Sequence, residues 1–566
     1  MHVKSLTSRF GKNTLTLIAI TFLAFLFRLY GINWDSGFHF HPDERMLIMV
    51  ADRIRFWSQM NPDFFNYGSL PVYLLVGASQ LIDRIIGSAM TNYDGLLFVG
   101  RWLSLISDLI VLILVYKISA HLFQNKSAAL WSAFFYAIAF FPIQNSHFFI
   151  VDTFLNLFST LLIYQLLLFQ LNPSYRRIIF IGITFAAAIT SKISAVIFLP
   201  IILMVLLYPH PLTILKKDVL RLVLFSLITV IFSALFMPYA FIEHERFVSD
   251  IQQQIKMNSD AYIFPYTLQY VGTLPYWYYM RNIFLWGLGP IISIFTLIGI
   301  AALISKLRIH HLKFELLQKK HLLFGLFYLI YFLIIGKSAV KFMRYMLLMY
   351  PFFAVMAGYG ASRVTQSVQC ITFFNSISRY TPARRIGGLH VTRYAIIALS
   401  LLWTFMFVNI YATPNTRIQA TQWINQFIPY GLVLGVEHWD DRVPIFDPGN
   451  YEYEELTLYE LPDDQNKIAN HYRKLQRVDY IVIASNRLYT PLQKLVDCDR
   501  YEKCYPATAK YYRDLFEGRL GFVKIAEFTS YPRLEIGNWK LEINDSSSDE
   551  SFTVYDHPKI MIFKKI

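Results

Sequence analysis

The sequence predicts a polytopic α-helical membrane protein of about eleven transmembrane helices, followed by a small C-terminal extracytoplasmic α/β domain. Three observations lead there. The 566 residues are 55% hydrophobic and only 16% charged, with a mean hydropathy of +0.40, whereas a soluble chain carries roughly a quarter of its residues charged. The apolar residues gather into runs of about 20, the length that crosses a hydrocarbon core. After Thr413 the charged residues return and no such run occurs again. The formal charge of +14 would suggest nucleic acid in a soluble chain. Here the basic residues fall in alternate short loops, which reads as membrane orientation, and no nucleic-acid partner is expected. The three cysteines, Cys370, Cys498 and Cys504, are too few for a cysteine metal cluster. No internal repeat or long low-complexity segment is present.

Met1 to Asn13 is short and basic (Lys4, Arg9, Lys12), so the N-terminus is expected in the cytoplasm. The first span, about residues 14–32, has no small-residue cleavage site after it and reads as a retained helix. It delivers Phe38-His39-Phe40-His41-Pro42-Asp43-Glu44-Arg45 to the outer face. Pro42 with Asp43 and Glu44 suits the first turn of a helix, and two carboxylates and two histidines beside a bilayer also suit a reactive site. The first outer loop, 33–93, holds an apolar stretch from Pro71 to Gly87 that Asp83 and Arg84 interrupt, as in a helix lying in the interface. Further spans are expected at about 95–116, 128–148, 152–171, 177–191, 193–208, 219–238, 286–305, 321–336, 340–362 and 391–412. The loops this places inside are all basic: Lys117 and Lys126; Arg176 and Arg177; Lys216, Lys217 and Arg221; Lys306, Arg308, Lys313, Lys319 and Lys320; Arg363, Arg379, Arg384, Arg385 and Arg393. An odd number of spans puts the C-terminal region outside.

A second long outer segment, 239–285, is crowded with aromatics (Tyr262, Phe264, Tyr266, Tyr270, Tyr276 to Tyr279), which suits an interfacial belt or a wall for a lipid or sugar. Beyond residue 412, Leu432–Val436, Tyr480–Ala484, Phe522–Phe528 and Ile560–Phe563 read as buried strands, and Pro462–Arg477 and Ala507–Phe516 as helices. Cys498 and Cys504 lie in a polar loop and either pair in an oxidising compartment or stay free.

If Asp43 and Glu44 are catalytic, other ionisable residues belong at the outer ends of the spans. Arg28, Arg101, His147, Asp152 and Lys192 fall there, as does the trio Lys337, Lys341 and Arg344, whose charge runs against the positive-inside pattern. Snorkelling explains Arg28 and Arg101 equally well, and helix capping explains Asp152. Together the set suits one chemistry. A carboxylate takes a proton from an acceptor hydroxyl, and Lys and Arg hold a lipid phosphate as it leaves. His41 with Glu44 could also hold a divalent cation such as Mg or Mn, though the spacing names no metal.

At this point the chain resembles the protein O-mannosyltransferases and their bacterial and archaeal relatives, GT-C-fold glycosyltransferases that use polyprenyl-phosphate sugars. The resemblance lies in Asp43-Glu44 after a single span, Tyr67-Gly68-Ser69-Leu70-Pro71, Arg101, Ser146-His147 to Asp152, Thr190-Ser191-Lys192, Lys341-Phe342-Met343-Arg344-Tyr345, and Pro265-Tyr266-Thr267 to Gly287-Leu288-Gly289. It implies a GT-C-like catalytic domain over residues 1–412, a distinct domain over 413–566, and inverting hexosyl or pentosyl transfer in a plasma or inner membrane. Asp43 would be the base, Glu44 its support or a metal ligand, and Asp152 an aid near the acceptor. Arg101, Lys192, Lys337, Lys341 and Arg344 would meet the donor phosphate. The tail differs from the MIR domain of the eukaryotic enzymes, and lipid A aminoarabinose transferases share the fold, so the acceptor is open among protein, lipid and glycan. Trp-Trp-Asp-Tyr-Gly, the oligosaccharyltransferase signature, is absent. A transporter or lipid flippase also needs intramembrane charges, and a non-enzymatic envelope-assembly protein remains a third reading.

Overall fold

The computed structural model describes residues 11–87, 89–207, 216–309, 320–374 and 382–566. The basic residues Lys4, Arg9, Lys313, Lys319 and Arg379 lie outside them. Each stretch expected to span is largely helical among the described residues, and the one at 340–362 becomes helical only from Met343. Five helices are long and apolar enough to cross a membrane, or six if one bent pair counts as a single span, and three shorter apolar helices accompany them among the described residues. The protein is a multi-pass membrane protein. The longest continuous helix among the described residues, Tyr93–Phe123, has 31 residues and so runs roughly 46 Å at 1.5 Å per residue, well past a ~30 Å hydrocarbon core.

The stretch expected as one span at 128–148 is two helices, Lys126–Ile138 and Phe140–Ser146, bent by 55°. Pro142 causes the break, since it cannot donate to the carbonyl four residues earlier. The carbonyls freed at the break must find donors inside the protein, and they do. Arg28 donates to Ala137 O at 3.0 Å and Tyr136 O at 3.4 Å, and Thr404 Oγ1 to Ile138 O at 2.6 Å. Arg28 also pairs with Asp108 at 2.5 Å, and Tyr136 hydroxyl closes the network on the same carboxylate at 2.5 Å. Arg28 is thus fully buried and caps a broken helix; it does not snorkel. Elsewhere glycines let helices touch through their backbones. A Cβ on Gly299 would lie 1.9 Å from Met356 O, and one on Gly358 would lie 2.1 Å from Ser132 Oγ.

From Thr416 onward the chain builds a five-stranded sheet in the order β2-β1-β3-β7-β4, from β1 (Val433–Glu437), β2 (Glu452–Leu456), β3 (Tyr480–Ile483), β4 (Phe522–Phe528) and β7 (Ile560–Lys565). β1 runs parallel to β2 and β3, and β7 lies antiparallel between β3 and β4. Alternate residues of β3 and β7 face opposite sides. Ile481, Ile483, Met561 and Phe563 pack with Leu475, Tyr511, Tyr512 and Leu515. Tyr480, Val482, Ile560 and Ile562 pack with Ala420, Ile424 and Ile428. Burial on both faces is why these strands read as continuous apolar runs. β2 (Glu-Tyr-Glu-Glu-Leu) is half exposed, and its charged sequence hides it from hydropathy. A separate hairpin joins β5 (Arg533–Ile536) to β6 (Trp539–Glu542). Cys498 and Cys504 form a disulfide.

The core on the first face also contains Val340, Phe342, Tyr270 and Leu268 from the membrane half. The segment 549–557, just before β7, is wedged between the two regions. Gln144 Nε2 donates to Phe552 O at 2.7 Å and to Asp556 at 2.8 Å, and Tyr411 hydroxyl reaches Asp556 at 3.0 Å. Tyr278 hydroxyl donates to Asp549 at 2.6 Å. Phe552 fills the space between Phe140, Phe141 and Phe407.

Candidate active site

A cavity of about 540 Å³ opens where the two regions meet. Pro42, Asp43 and Arg45 form part of its wall, with Phe64, Asn66 and Tyr67 from the same loop. Gln253, Gln254 and Met257 of the helix His244–Ser259 form a second side, followed by Phe264, Tyr266, Phe342, Arg344 and Tyr345. The C-terminal region supplies Trp439, Asp440, Asp441, Arg487, Glu550 and Tyr555.

Asp43 reaches the cavity because of how its helix starts. His41 is the N-cap of the helix Pro42–Arg53, and Pro42 occupies its first position. The Asp43 amide donates to His41 Nδ1 at 3.2 Å, so that nitrogen carries no proton. Burial pushes the His41 imidazole down to about 3, and it stays neutral. Tyr555 covers its ring at 4.1 Å. Asp43 itself pairs with Arg344 at 3.0 Å and accepts a hydrogen bond from Tyr67. Burial raises the Asp43 carboxyl, but the charges of Arg344, then Lys192, outweigh it and hold the group below the usual carboxylate range.

Arg344 is nearly buried, yet its Nε and Nη1 have no hydrogen-bond partner among the described residues. The guanidinium stacks over Phe342 at 4.2 Å and lies 5.7 Å from the Tyr345 ring. Buried N–H groups without acceptors are costly. Three on an arginine facing a cavity make a ready receptor for a phosphate. Lys192 stands behind the Tyr67 and Tyr345 rings, 5.9 and 4.4 Å from their centres, and pairs with Asp152 at 2.8 Å. Gly68 brings these two motifs together. Its amide donates to Ser191 O at 3.2 Å, and a Cβ there would sit 1.8 Å from Thr190 O.

The acidic pair divides between two environments. Glu44, next in sequence to Asp43, turns inward to Arg101. Arg101 Nε and Nη2 donate to its two oxygens at 3.1 and 2.9 Å, and the Phe149 amide adds a bond of 2.7 Å. Arg101 also grips Asp35 at 2.8 and 2.6 Å and Ile32 O at 2.9 Å. All five of its N–H donors are used. Arg101, expected at the donor phosphate, therefore has none left for one, and it lies outside the cavity wall. The expected metal pair fares similarly. Glu44 has its oxygens occupied, and His41 spends Nδ1 on a backbone amide. No group of three or more His, Cys, Asp or Glu residues is placed to hold a metal ion among the described residues. The donor set does not fit a divalent cation at His41 and Glu44.

Lys337 is exposed and away from the cavity. Lys341 faces a different pocket, of about 400 Å³, and donates to Ala339 O at 3.0 Å. Lys341 and Phe342 lead into the 3-10 helix Met343–Met349, which carries Arg344 and Tyr345, and Phe342, Arg344 and Tyr345 line the cavity while Lys341 and Met343 do not. His147 ties its turn to the first helix through Tyr30 O at 2.9 Å. Of the aromatic segment, Phe264 and Tyr266 line the cavity, while Tyr270 and Tyr279 are buried.

Sequence reading missed Asp35, Tyr67 as a partner of Asp43, and every contribution from the C-terminal region. Arg487 donates to Glu550 at 2.7 Å within the C-terminal region, and Arg45 pairs with Asp441 at 3.2 Å across the junction. Tyr67 was visible as part of a motif. Arg487 and Glu550 carried no signal, because nothing local marks a surface residue that another region will cover.

Comparison with known proteins gives a consistent frame. Residues 88–238 match the family profile of dolichyl-phosphate-mannose-protein mannosyltransferase. A search of curated proteins finds no match. Among solved structures, the Archaeoglobus fulgidus oligosaccharyltransferase in its apo form aligns with a TM-score of 0.53 at 16% identity, over 88% of this chain and 72% of that one. The same organism's AglB, in complex with an inhibitory peptide and a dolichol-phosphate, gives 0.53 at 14% identity over 96% and 75%. ArnT from Cupriavidus metallidurans bound to undecaprenyl phosphate aligns at 0.49 and 12% identity, over 86% and 95%.

Proposed function

Starting from a multi-pass membrane chain of the GT-C glycosyltransferase fold and the protein O-mannosyltransferase-like superfamily, we propose that it moves a sugar from a polyprenyl-phosphate donor to a hydroxyl acceptor, with inversion. The observation that carries this reading is the pair Asp43 and Arg344 on one cavity wall, the arginine keeping the N–H groups of Nε and Nη1 free among the described residues. The likeness in fold to AglB, whose complex contains a dolichol-phosphate, supports a lipid phosphate as the group those donors meet.

In the resting site Asp43 is ionised and held by Arg344. When a donor enters, Arg344 turns its free donors to the phosphate, and the pull on Asp43 weakens. The carboxylate then becomes a stronger base and accepts the acceptor hydroxyl proton. The acceptor oxygen bonds to the anomeric carbon as the bond from that carbon to the phosphate oxygen breaks. The electron pair leaves on polyprenyl phosphate, whose added charge Arg344 stabilises. Tyr67 keeps Asp43 in place. Lys192, fixed by Asp152, adds positive potential from behind Tyr345. Glu44 and Arg101 are positioning residues, and Lys337 and Lys341 take no part.

The same reading makes residues 1–412 the catalytic domain and 413–566 an extracytoplasmic domain that roofs the cavity, with the N-terminus in the cytoplasm. The sugar is a hexose or pentose, and the acceptor a lipid, glycan or protein hydroxyl.

The test is release of free polyprenyl phosphate from a panel of polyprenyl-phosphate sugars, with membrane extract as the acceptor source. Release by the wild type and at least about a 100-fold slower rate for Asp43→Asn are expected. Equal rates for the two would remove Asp43 as the base. No release from any donor, together with substrate counterflow in proteoliposomes, would replace the enzyme by a transporter.

A further inference from the structure

The hairpin of β5 and β6 stands apart from the main sheet and has two unlike faces. Its register pairs Leu534 with Leu541 and Ile536 with Trp539, and Arg533 with Glu542 and Glu535 with Lys540. Directly paired residues share a face. One face is therefore wholly apolar and the other wholly charged. The charged face satisfies itself, with Lys540 bound to Glu542 at 2.9 Å and Arg533 to Glu535 at 3.6 Å. The apolar face is left uncovered: Ile536, Trp539 and Leu541 are 66, 84 and 50% exposed. A two-stranded hairpin is at best marginally stable in water, and an apolar face of this kind marks a contact surface.

Where the hairpin is rooted tells what covers it. Its first strand is tied to the end of the last membrane helix, where Asn409 Nδ2 donates to Arg533 O at 3.1 Å. Asn409 lies one helical turn beyond Phe405, which is exposed along with Leu399 on the same helix. In a membrane protein that exposed apolar surface is the lipid-facing one, and the hairpin continues it past the helix end. The two-residue turn Gly537-Asn538, with Gly537 at φ 58°, keeps the tip narrow. Tryptophan at such a tip suits the headgroup boundary.

We propose that this hairpin lies in the membrane interface, with Leu534, Ile536, Trp539 and Leu541 against the acyl boundary and its charged face in water. It fixes the height and tilt of the C-terminal region, and hence of the wall that closes the cavity. The occupant is the lipid bilayer itself, and the inference stands whether or not the chain transfers a sugar.

Nitroxide labels on Glu535→Cys, Ile536→Cys, Trp539→Cys and Lys540→Cys, each in a Cys370→Ser background, would be read in the full chain in lipid nanodiscs. The ratio of oxygen to water-soluble nickel-chelate accessibility is expected to be several-fold higher at 536 and 539 than at 535 and 540. Equal access of the nickel chelate to all four would place the hairpin in water and overturn the proposal. Spin–spin broadening that unlabelled protein relieves would instead show a second copy on this face, which also overturns it.

Discussion

Two arginines with the same membrane-edge position in the sequence have opposite roles, and counting donors separates them. Arg344 has N–H groups to spare and faces a cavity, whereas Arg101 spends all five on Asp35, Glu44 and Ile32 O. Substituting Arg344 by Gln is expected to cut turnover by about 100-fold, the loss typical of one transition-state donor, with little change in melting temperature. Arg101→Gln is expected to act through the fold. It leaves two buried carboxylates facing each other, a loss of about 3–5 kcal/mol, and should lower the melting temperature sharply. Thermal unfolding beside phosphate-release kinetics distinguishes the two, and a stable, inactive Arg101→Gln protein would return that residue to the chemistry.

Among elements, the close contact of the 66–69 loop with the end of the helix Tyr175–Ser191 sets the distance between Asp43 and Lys192. Gly68→Ala must push Thr190 away, at a cost of about 1–3 kcal/mol. Activity should fall several-fold with no reactive group altered, and an unchanged rate would show the contact to be slack. The wedge 549–557, with Asp545 just before it, carries a pH dependence. His557 sits between Asp545 at 2.8 Å and Asp556 at 2.5 Å. Burial lowers its proton affinity, but the two carboxylates outweigh that and raise it to about 10. A raised histidine contributes stability that is complete below about 6.5 and is lost as pH climbs through about 10. The melting temperature of the wild type should therefore fall between pH 7 and 10, and His557→Gln should flatten that slope.

Across the whole molecule, one carboxylate links the two regions. Asp556 accepts from Gln144 and Tyr411 of the membrane half and from His557 of its own. With Phe552 wedged among membrane-helix aromatics, the chain should melt as one unit. Asp556→Ala leaves the Tyr411 hydroxyl buried without its acceptor and Gln144 with Phe552 O alone, and should split the calorimetric trace into two transitions, the membrane half first. A single, merely shifted transition would mean that the apolar contacts of Phe552 alone carry the coupling.

Hydropathy alone determined that this chain crosses a membrane many times and ends in an α/β region, because burial in lipid or in a sheet covered on both faces demands long apolar runs. It also drew attention to Asp43, Glu44, Arg101, Asp152, Lys192, Lys341 and Arg344, because ionisable groups beside a bilayer are expensive. Their division into roles needed three dimensions. Adjacent residues 43 and 44 point about 100° apart on a helix, so one reaches the cavity and the other the Arg101 cluster. Lys341 lies just before the 3-10 helix Met343–Met349 that carries Arg344, and the two reach different pockets. β2, the β5–β6 hairpin and the wedge at 549–557 escaped notice because their side chains are charged or mixed and gain meaning only from what folds over them. Local sequence carries the energy of burying a residue in lipid or core, and the tertiary structure alone decides which buried charges meet a partner and which keep a hand free for a ligand.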